Sequence, residues 1–413
     1  MISILLLTSC VPLTKLSGPK RITGNLAYIN NPHATPEEFA QIASANNQFA
    51  FSLYQQLSKA EGNLVFSPYS IHQALTMTYA GARSETEAQM ATVLGLKDLN
   101  DPHRLINALN RKLIDIPEHL KEYYQPVEIN LANALWLQND FKLKQDFIDL
   151  LSSNYDAGLY LLDFSKTEKA VSIINNWVST QTNNKIKDLL SPSNVNGTTR
   201  LVLTNAIYFN GAWLDKFRPE FTGNAPFFSL DGTHDDVDMM SGTFFAKALV
   251  NDELSAVVLP YDGRTYAMVL LMPKDFSVYQ QGFNADSFEK LLADLQETYS
   301  EVNLEMPKFK IETRESLAEQ LKTLGMPNAF SNADFSGMTG GRDLLIDDVI
   351  HQAMIDVTEN GTEAAAATAV VMVESAPPSA DYKLDITFNR PFIYAIYNTE
   401  TNAIVFMGHF VAP

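Results

Sequence analysis

Residues Glu359–Ala380 read ENGTEAAAATAVVMVESAPPSA, and two structural preferences compete within them. Ala364–Ala367 are four strong helix formers, whereas Val370, Val371 and Val373 favour a pleated strand. Pro377 and Pro378 interrupt either one. An apolar segment of undecided structure between Gly361 and a proline pair demands an explanation from the rest of the chain.

The 413 residues suit two or three domains, or one large α+β domain. Apolar residues make up 46% and charged residues 19%, with no apolar run long enough to span a bilayer. Lys and Arg total 30 against 48 Asp and Glu, so a net charge of −18 repels phosphate backbones and excludes nucleic acid as the expected partner. The basic residues between Arg104 and Lys121 are interleaved with acidic ones and read as a solvated helix face. With the single cysteine Cys10, no internal disulfide can form. In residues 1–10, MISILLLTSC, the run Leu7-Thr8-Ser9-Cys10 resembles a bacterial lipoprotein signal, in which the cysteine is acylated and becomes the new N-terminus. No Lys or Arg precedes that run, so the expectation includes a start upstream of Met1; the alternative is a chance apolar N-terminus on a cytosolic chain. Residues 11–38 are rich in Pro, Gly, Ser and Asn and read as a flexible tether.

Periodicity begins at Phe39, where FAQIASANNQFAFSLYQQL repeats apolar residues at helical spacing. NLVFSPYSIHQALTMTYAGA reads as a short strand, then a helix capped by Ser67 and started by Pro68. NNWVSTQTNNKIKDLL, Asn175–Leu190, reads as another helix. LVLTNAIYFNGAW and SAVVLPYDGRTYAMVLLMP alternate with period two and read as strands. Helices come first and strands later, without regular βαβ alternation, so α+β is expected. The seven histidines never pair at ligand spacing, so neither a metal site nor another cofactor is expected. No GxSxG elbow or phosphate-binding glycine loop occurs, and Ser17–Lys20 fits SxxK only within the tether. The expected role is therefore not that of an enzyme. His72 and His351, on apolar stretches, read by default as satisfied core histidines.

NLVFSPYSI with Tyr79-Ala80-Gly81-Ala82, LTNAIYFNGAW, PKFKIETRESL, LGMPNAFSNADFSGM, VIHQAMIDVTENGTEAAAA and FNRPFIYAI follow one another in this order. Together they resemble the serpin family over residues 39–413. The resemblance implies a serpin fold: one large domain with three β-sheets and about nine helices, and an exposed reactive-centre loop spanning about 359–385. It gives the opening segment two structures, a loop before cleavage and a new strand of the main sheet afterwards. An inserting strand places alternate residues inward. The inward set would be Thr362, Ala364, Ala366, Thr368, Val370 and Met372, all small or apolar, while Glu363 falls in the outward set where its charge stays solvated. Gly361 supplies a permissive backbone at the pivot. Non-inhibitory relatives often break this hinge pattern, so its intact state favours an inhibitor; the alternative is a binding or chaperone serpin that never inserts.

The resemblance also assigns Ser67, Ser70, Asn205 and His351 to a shutter beneath the point where the sheet opens, Trp213 to the breach above it, and Glu359 with Lys308 to a pair at the base of the loop. The implied mechanism is suicide inhibition of a serine protease by a monomer, through a covalent acyl complex. The implied setting is extracytoplasmic: extracellular, periplasmic, or tethered to a membrane through a lipidated Cys10. Counting from Glu359 at the family's hinge spacing puts the reactive bond at Ser375–Ala376. Counting back from FNRPF reaches Ala380, because the loop is longer than usual. A small residue before the cut suggests an elastase- or subtilisin-like target, whereas Glu374 would indicate a glutamyl-specific protease and Met372 a chymotrypsin-like one.

Overall fold

The computed structural model describes residues 19, 21–115, 118–155, 158–296, 299–363 and 383–413. The first long helix, Pro36–Leu57, begins three residues before the expected Phe39. Thr35 and Glu38 form a reciprocal capping box there, and Pro36 occupies the first turn, where its missing N–H costs nothing. Its apolar stripe, Ile42, Phe49, Leu53 and Leu57, is buried. Ser67 caps the helix Pro68–Tyr79, as expected, by accepting from the Ser70 amide.

The tether expectation fails for the described part of residues 11–38. Arg21 bridges to Tyr160, the Ile22 amide donates to the Leu159 carbonyl at 2.8 Å, and the Ile29 amide donates to the Ser153 carbonyl at 2.9 Å. Tyr28 donates to Asn107 Oδ1 at 2.7 Å. A polar, glycine-containing sequence is docked here by backbone groups that find partners on distant elements. The expected helix Asn175–Leu190 also shifts, to Thr167–Gln181. Asn183 and Asn184 adopt left-handed backbone (φ 51° and 61°), which stops the helix and turns the chain.

Among the described residues there are twelve α-helices, more than the nine expected because five of them have seven residues or fewer. A six-stranded sheet runs in the order Phe309–Ser316, Asp348–Thr358, Gly361–Thr362, Leu201–Ala212, Glu128–Gln138, Gly158–Leu162. The other strands form two sets that share the 17-residue strand His234–Val250. Its first part pairs with Gly223–Phe228 and Tyr299–Pro307, and its last part with Leu254–Pro260. The three expected sheets are therefore three strand sets, two of them hydrogen-bonded into one continuous nine-stranded sheet.

One face of the six-stranded sheet belongs to the main core, with Leu203, Ile207, Phe209, Val349, Ala353 and Val357 buried there. On the other face Ala134, Trp136, Val202, Ala206 and Ile350 pack against Ala170, Val171, Ile174 and Val178 of the helix Thr167–Gln181. The sheet is thus covered on both sides where that helix packs, whereas Lys310, Glu312 and Arg314 leave the outer face of the strand Phe309–Ser316 exposed.

Candidate functional site

The site is the seam between the parallel strands Leu201–Ala212 and Asp348–Thr358. From Asp348↔Val202 to Ala353↔Ile207 the two pair directly. At the upper end Gly361 and Thr362 lie between them, paired with Ala212 and Gly211 on one side and with Thr358 and Val357 on the other. Among the described residues no pairing crosses the seam for Met354–Asp356 opposite Tyr208–Asn210, which defines a wedge below Thr362.

Gly361 is required at its position. Its φ is +144°, and a Cβ would stand 2.1 Å from the Gly211 carbonyl oxygen and 2.8 Å from Ala212 Cα. Thr362 is buried and faces the core, sharing a hydrogen bond of 2.6 Å with the Tyr261 hydroxyl. Tyr261 stacks on Trp213 with ring centroids 4.6 Å apart. Burial pushes the Tyr261 phenol far up, so it stays a neutral partner. Trp213 Nε1 donates to the Thr358 carbonyl at 3.0 Å, and the Trp213 and Phe217 amides donate to the carbonyls of Asn360 and Glu359. Glu359 is buried. Its carboxylate meets Lys308 Nζ at 2.8 Å and accepts from Thr222 at 2.8 Å. Burial alone would raise the Glu359 carboxyl, but Lys308, the backbone and Thr222 hold it below the ordinary range. The resemblance-derived set Trp213, Lys308 and Glu359 is thus brought together, and Tyr261 and Thr222 join it.

Two expectations need correction here. Within the span expected for the reactive-centre loop, Glu359–Thr362 and Lys383–Asp385 belong to the body, the latter pairing with Glu301–Asn303. Glu363 lies on the outward face, yet its side chain is only 5% exposed, and Lys185 Nζ stands 3.3 Å from its Oε2. Ala364, Ala366, Thr368, Ser375, Ala376 and Cys10 lie outside the described residues.

Lower in the seam a single row of side chains crosses three strands. His351, Asn205 and Asn133 are lateral neighbours in register, all buried. The Ser67 amide donates to His351 Nε2 at 3.1 Å, which leaves the ring proton on Nδ1, facing Asn205 Oδ1. Asn205 Nδ2 donates to Asn133 Oδ1, and Asn133 Nδ2 donates to Gln73 Oε1 at 2.7 Å and to the Ser70 carbonyl at 3.3 Å. Burial lowers His351 to about 3, so the ring is neutral at physiological pH. His72 is likewise held neutral, at about 4, by burial, and hydrogen-bonds the Leu94 carbonyl. Of the four expected shutter residues, Ser67, Asn205 and His351 share this chain; Ser70 enters through its backbone, its hydroxyl having no hydrogen-bond partner among the described residues. Asn133 and Gln73 were missed. The Asn in ANALWL is recognisable only once the strand Glu128–Gln138 has been read as the neighbour of Leu201–Ala212.

Against known proteins, residues 44–413 match the family model described as Serpin (serine protease inhibitor). The chain belongs to the serpin family. It is 36% identical over 375 residues to an uncharacterised serpin-like protein of Thermococcus kodakarensis, covering 90% of this chain and 86% of that protein. It is 35% identical over 388 residues to the human leukocyte elastase inhibitor, covering 90% of this chain and all of that protein. The thermophilic serpin tengpin in its native state superposes with a TM-score of 0.82 at 27% identity, over 96% of this chain and all of that one. Uncleaved ovalbumin superposes with a TM-score of 0.79 at 26% identity, over 90% of this chain and all of that one.

Proposed function

We propose that this serpin is a suicide-substrate inhibitor of serine proteases that cleave after small residues, elastase- or subtilisin-like. The observation that carries this reading is Thr362, a hinge residue already seated in the seam and facing the core, with an unpaired wedge directly below it. The target's serine Oγ attacks the carbonyl carbon of Ser375, the Ser375–Ala376 peptide bond breaks, and the proton leaves with the Ala376 amine. The resulting ester ties the protease to the loop. Insertion of the freed strand outruns hydrolysis, and the added strand pairing and burial drive it.

The protein works as a monomer and is extracytoplasmic, held at a membrane through Cys10. One acyl chain binds marginally whereas several hold firmly, so Cys10→Ala should move the protein from the membrane fraction to the soluble one. Equal partitioning of variant and wild type would remove this anchor. The inhibitory reading is tested by incubating the full chain with a panel of serine proteases. An SDS-stable band at the summed mass supports it. A simple nick with full protease activity supports a binding or chaperone role, and turnover of a substrate without protease would make the chain an enzyme. Mass spectrometry of the released C-terminal peptide places the cut, with Ala376 expected as its first residue.

A further inference from the structure

The last described residue of the hinge is strained. Glu363 has φ +52°, a conformation that non-glycine residues avoid, immediately after the paired Thr362. Its amide still donates to the Asp356 carbonyl at 2.7 Å, continuing the pairing by one bond beyond Thr362. The side chain lies on the outer face, nearly buried. Two groups meet it there. Lys185 Nζ is 3.3 Å from Oε2 and 5.5 Å from the centre of the Tyr208 ring, and burial together with the nearby Glu363 carboxylate pushes the Tyr208 phenol up. Tyr208 lies on the strand Leu201–Ala212, in the row that borders the wedge.

Lys185 is presented by a built turn. The left-handed Asn183 and Asn184 close the helix Thr167–Gln181, the Asn184 amide donates to the Ser179 carbonyl at 2.7 Å, and the Lys185 amide donates to the Thr182 carbonyl at 2.9 Å. Oε2 of Glu363 is buried and makes no aligned hydrogen bond, so the Lys185 charge is what compensates it. Beside the pair lies a polar groove of about 730 Å³ lined by Lys187, Lys310, Arg314 and Gln352 among others, which gives the carboxylate a hydrated position to move to.

We propose that Lys185 and Tyr208 are positioning residues for loop insertion: they hold Glu363 bent at the mouth of the wedge and so fix how far the hinge is inserted in the intact chain. This rests on the inhibitory reading. For the next residue to enter, Glu363 must become extended, its carboxylate must leave Tyr208, and its contact with Lys185 must break. The contacts exist in the intact state and are lost on the way to insertion, so they raise the barrier. Their removal speeds entry, with or without cleavage.

The test uses the full-length chain as wild type, Lys185→Ala, Glu363→Gln, Tyr208→Phe and the swap Lys185→Glu with Glu363→Lys. Two quantities are read without any protease. One is the half-time at elevated temperature for conversion of the intact protein to a urea-resistant form; the other is hydrogen exchange of the peptide containing the Glu363 amide. Each single variant is expected to convert and exchange roughly two- to fivefold faster, the upper part of the range that a half-exposed ion pair carries, and the swap to return to about the wild-type rate. Single variants that are unchanged or slower overturn the proposal, as does a swap no better than the singles. Protease trapping is scored separately. If wild type traps nothing while Lys185→Ala still exchanges faster, the inhibitory reading falls and the positioning role stands. If wild type traps and Lys185→Ala exchanges like wild type, the positioning role falls alone.

Discussion

The two ends of the seam hold the same pair of strands together in different ways. Below, the strands touch directly and a one-way chain of hydrogen bonds runs from the Ser67 amide through His351, Asn205 and Asn133 to Gln73. Above, they are spread by two residues of the same chain, and the contacts are a glycine without room for a Cβ, a stacked Trp213–Tyr261 pair and the Glu359–Lys308 ion pair. The lower end is specific and fully buried, so a defect there has nowhere to relax. The upper end borders solvent and can withdraw. A strand entering from above therefore meets tolerant contacts first and exacting ones later.

The largest expected effect is at the upper end, on function. Thr362→Arg forces an unpaired charge against Tyr261 in the core, at several kcal/mol if it stays, so the hinge is expelled and insertion is too slow to outrun hydrolysis. The variant should be cut at the same bond as wild type and released as a substrate, visible as loss of the SDS-stable band. Ser375→Arg should instead keep trapping and redirect it to a trypsin-like protease.

On stability the order reverses. His351→Ala leaves the Ser67 amide and Asn205 Oδ1 without partners in a fully buried site and should cost ~3–5 kcal/mol, read as a lower urea midpoint. Acid probes the same end. The folded value of His351 is depressed to about 3, and those of His72, His103 and His409 to about 4, in each case chiefly by burial. The stability these neutral rings contribute is complete above the unfolded value near 6.5 and is lost as pH falls toward 4 and then 3. At pH 5 the His351 share alone is ~2 kcal/mol. Urea midpoints between pH 7.5 and 5 should fall accordingly, and less steeply in His351→Gln. At the upper end Gly361→Ala should cost only ~1–2 kcal/mol, because the hinge can leave the seam, and it should expose the Thr362 amide to exchange. Smallest is Lys308→Ala: with Lys308 33% exposed, a loss of ~0.5–1 kcal/mol that shrinks with added salt.

The upper end was the more legible in the sequence. Gly361, the small alternating residues after it and the Glu359–Lys308 pair are carried by short motifs, and the structure places the described ones together. The long amphipathic helix and the alternating strands were legible for the same reason, since a period of two or 3.6 is a local property. What was not legible depends on partners far away in the chain. Asn133 joins Asn205 across 72 residues, Tyr261 meets Thr362 across 101, and the Ile22 amide finds a strand edge at Leu159. Composition makes residues 11–38 read as a tether, because nothing local records that the Ile22 and Ile29 amides are satisfied elsewhere. Glu363 differs from expectation for a related reason: strand alternation gives its face correctly, but nothing local records that Lys185, read there as part of a helix, stands beside its carboxylate.

The central claim is that the intact chain is held short of a more stable arrangement in which the loop completes the six-stranded sheet. Melting the protein before and after a single cut in the loop tests it most directly, with mass spectrometry confirming that both fragments remain associated. The cleaved form should melt far above the intact one, by well over the ~2–4 °C that ~1 kcal/mol provides in a domain of somewhat smaller size. An unchanged or lower melting temperature after cleavage would mean that the seam does not accept the loop, and that the hinge seated at Gly361 and Thr362 goes no further.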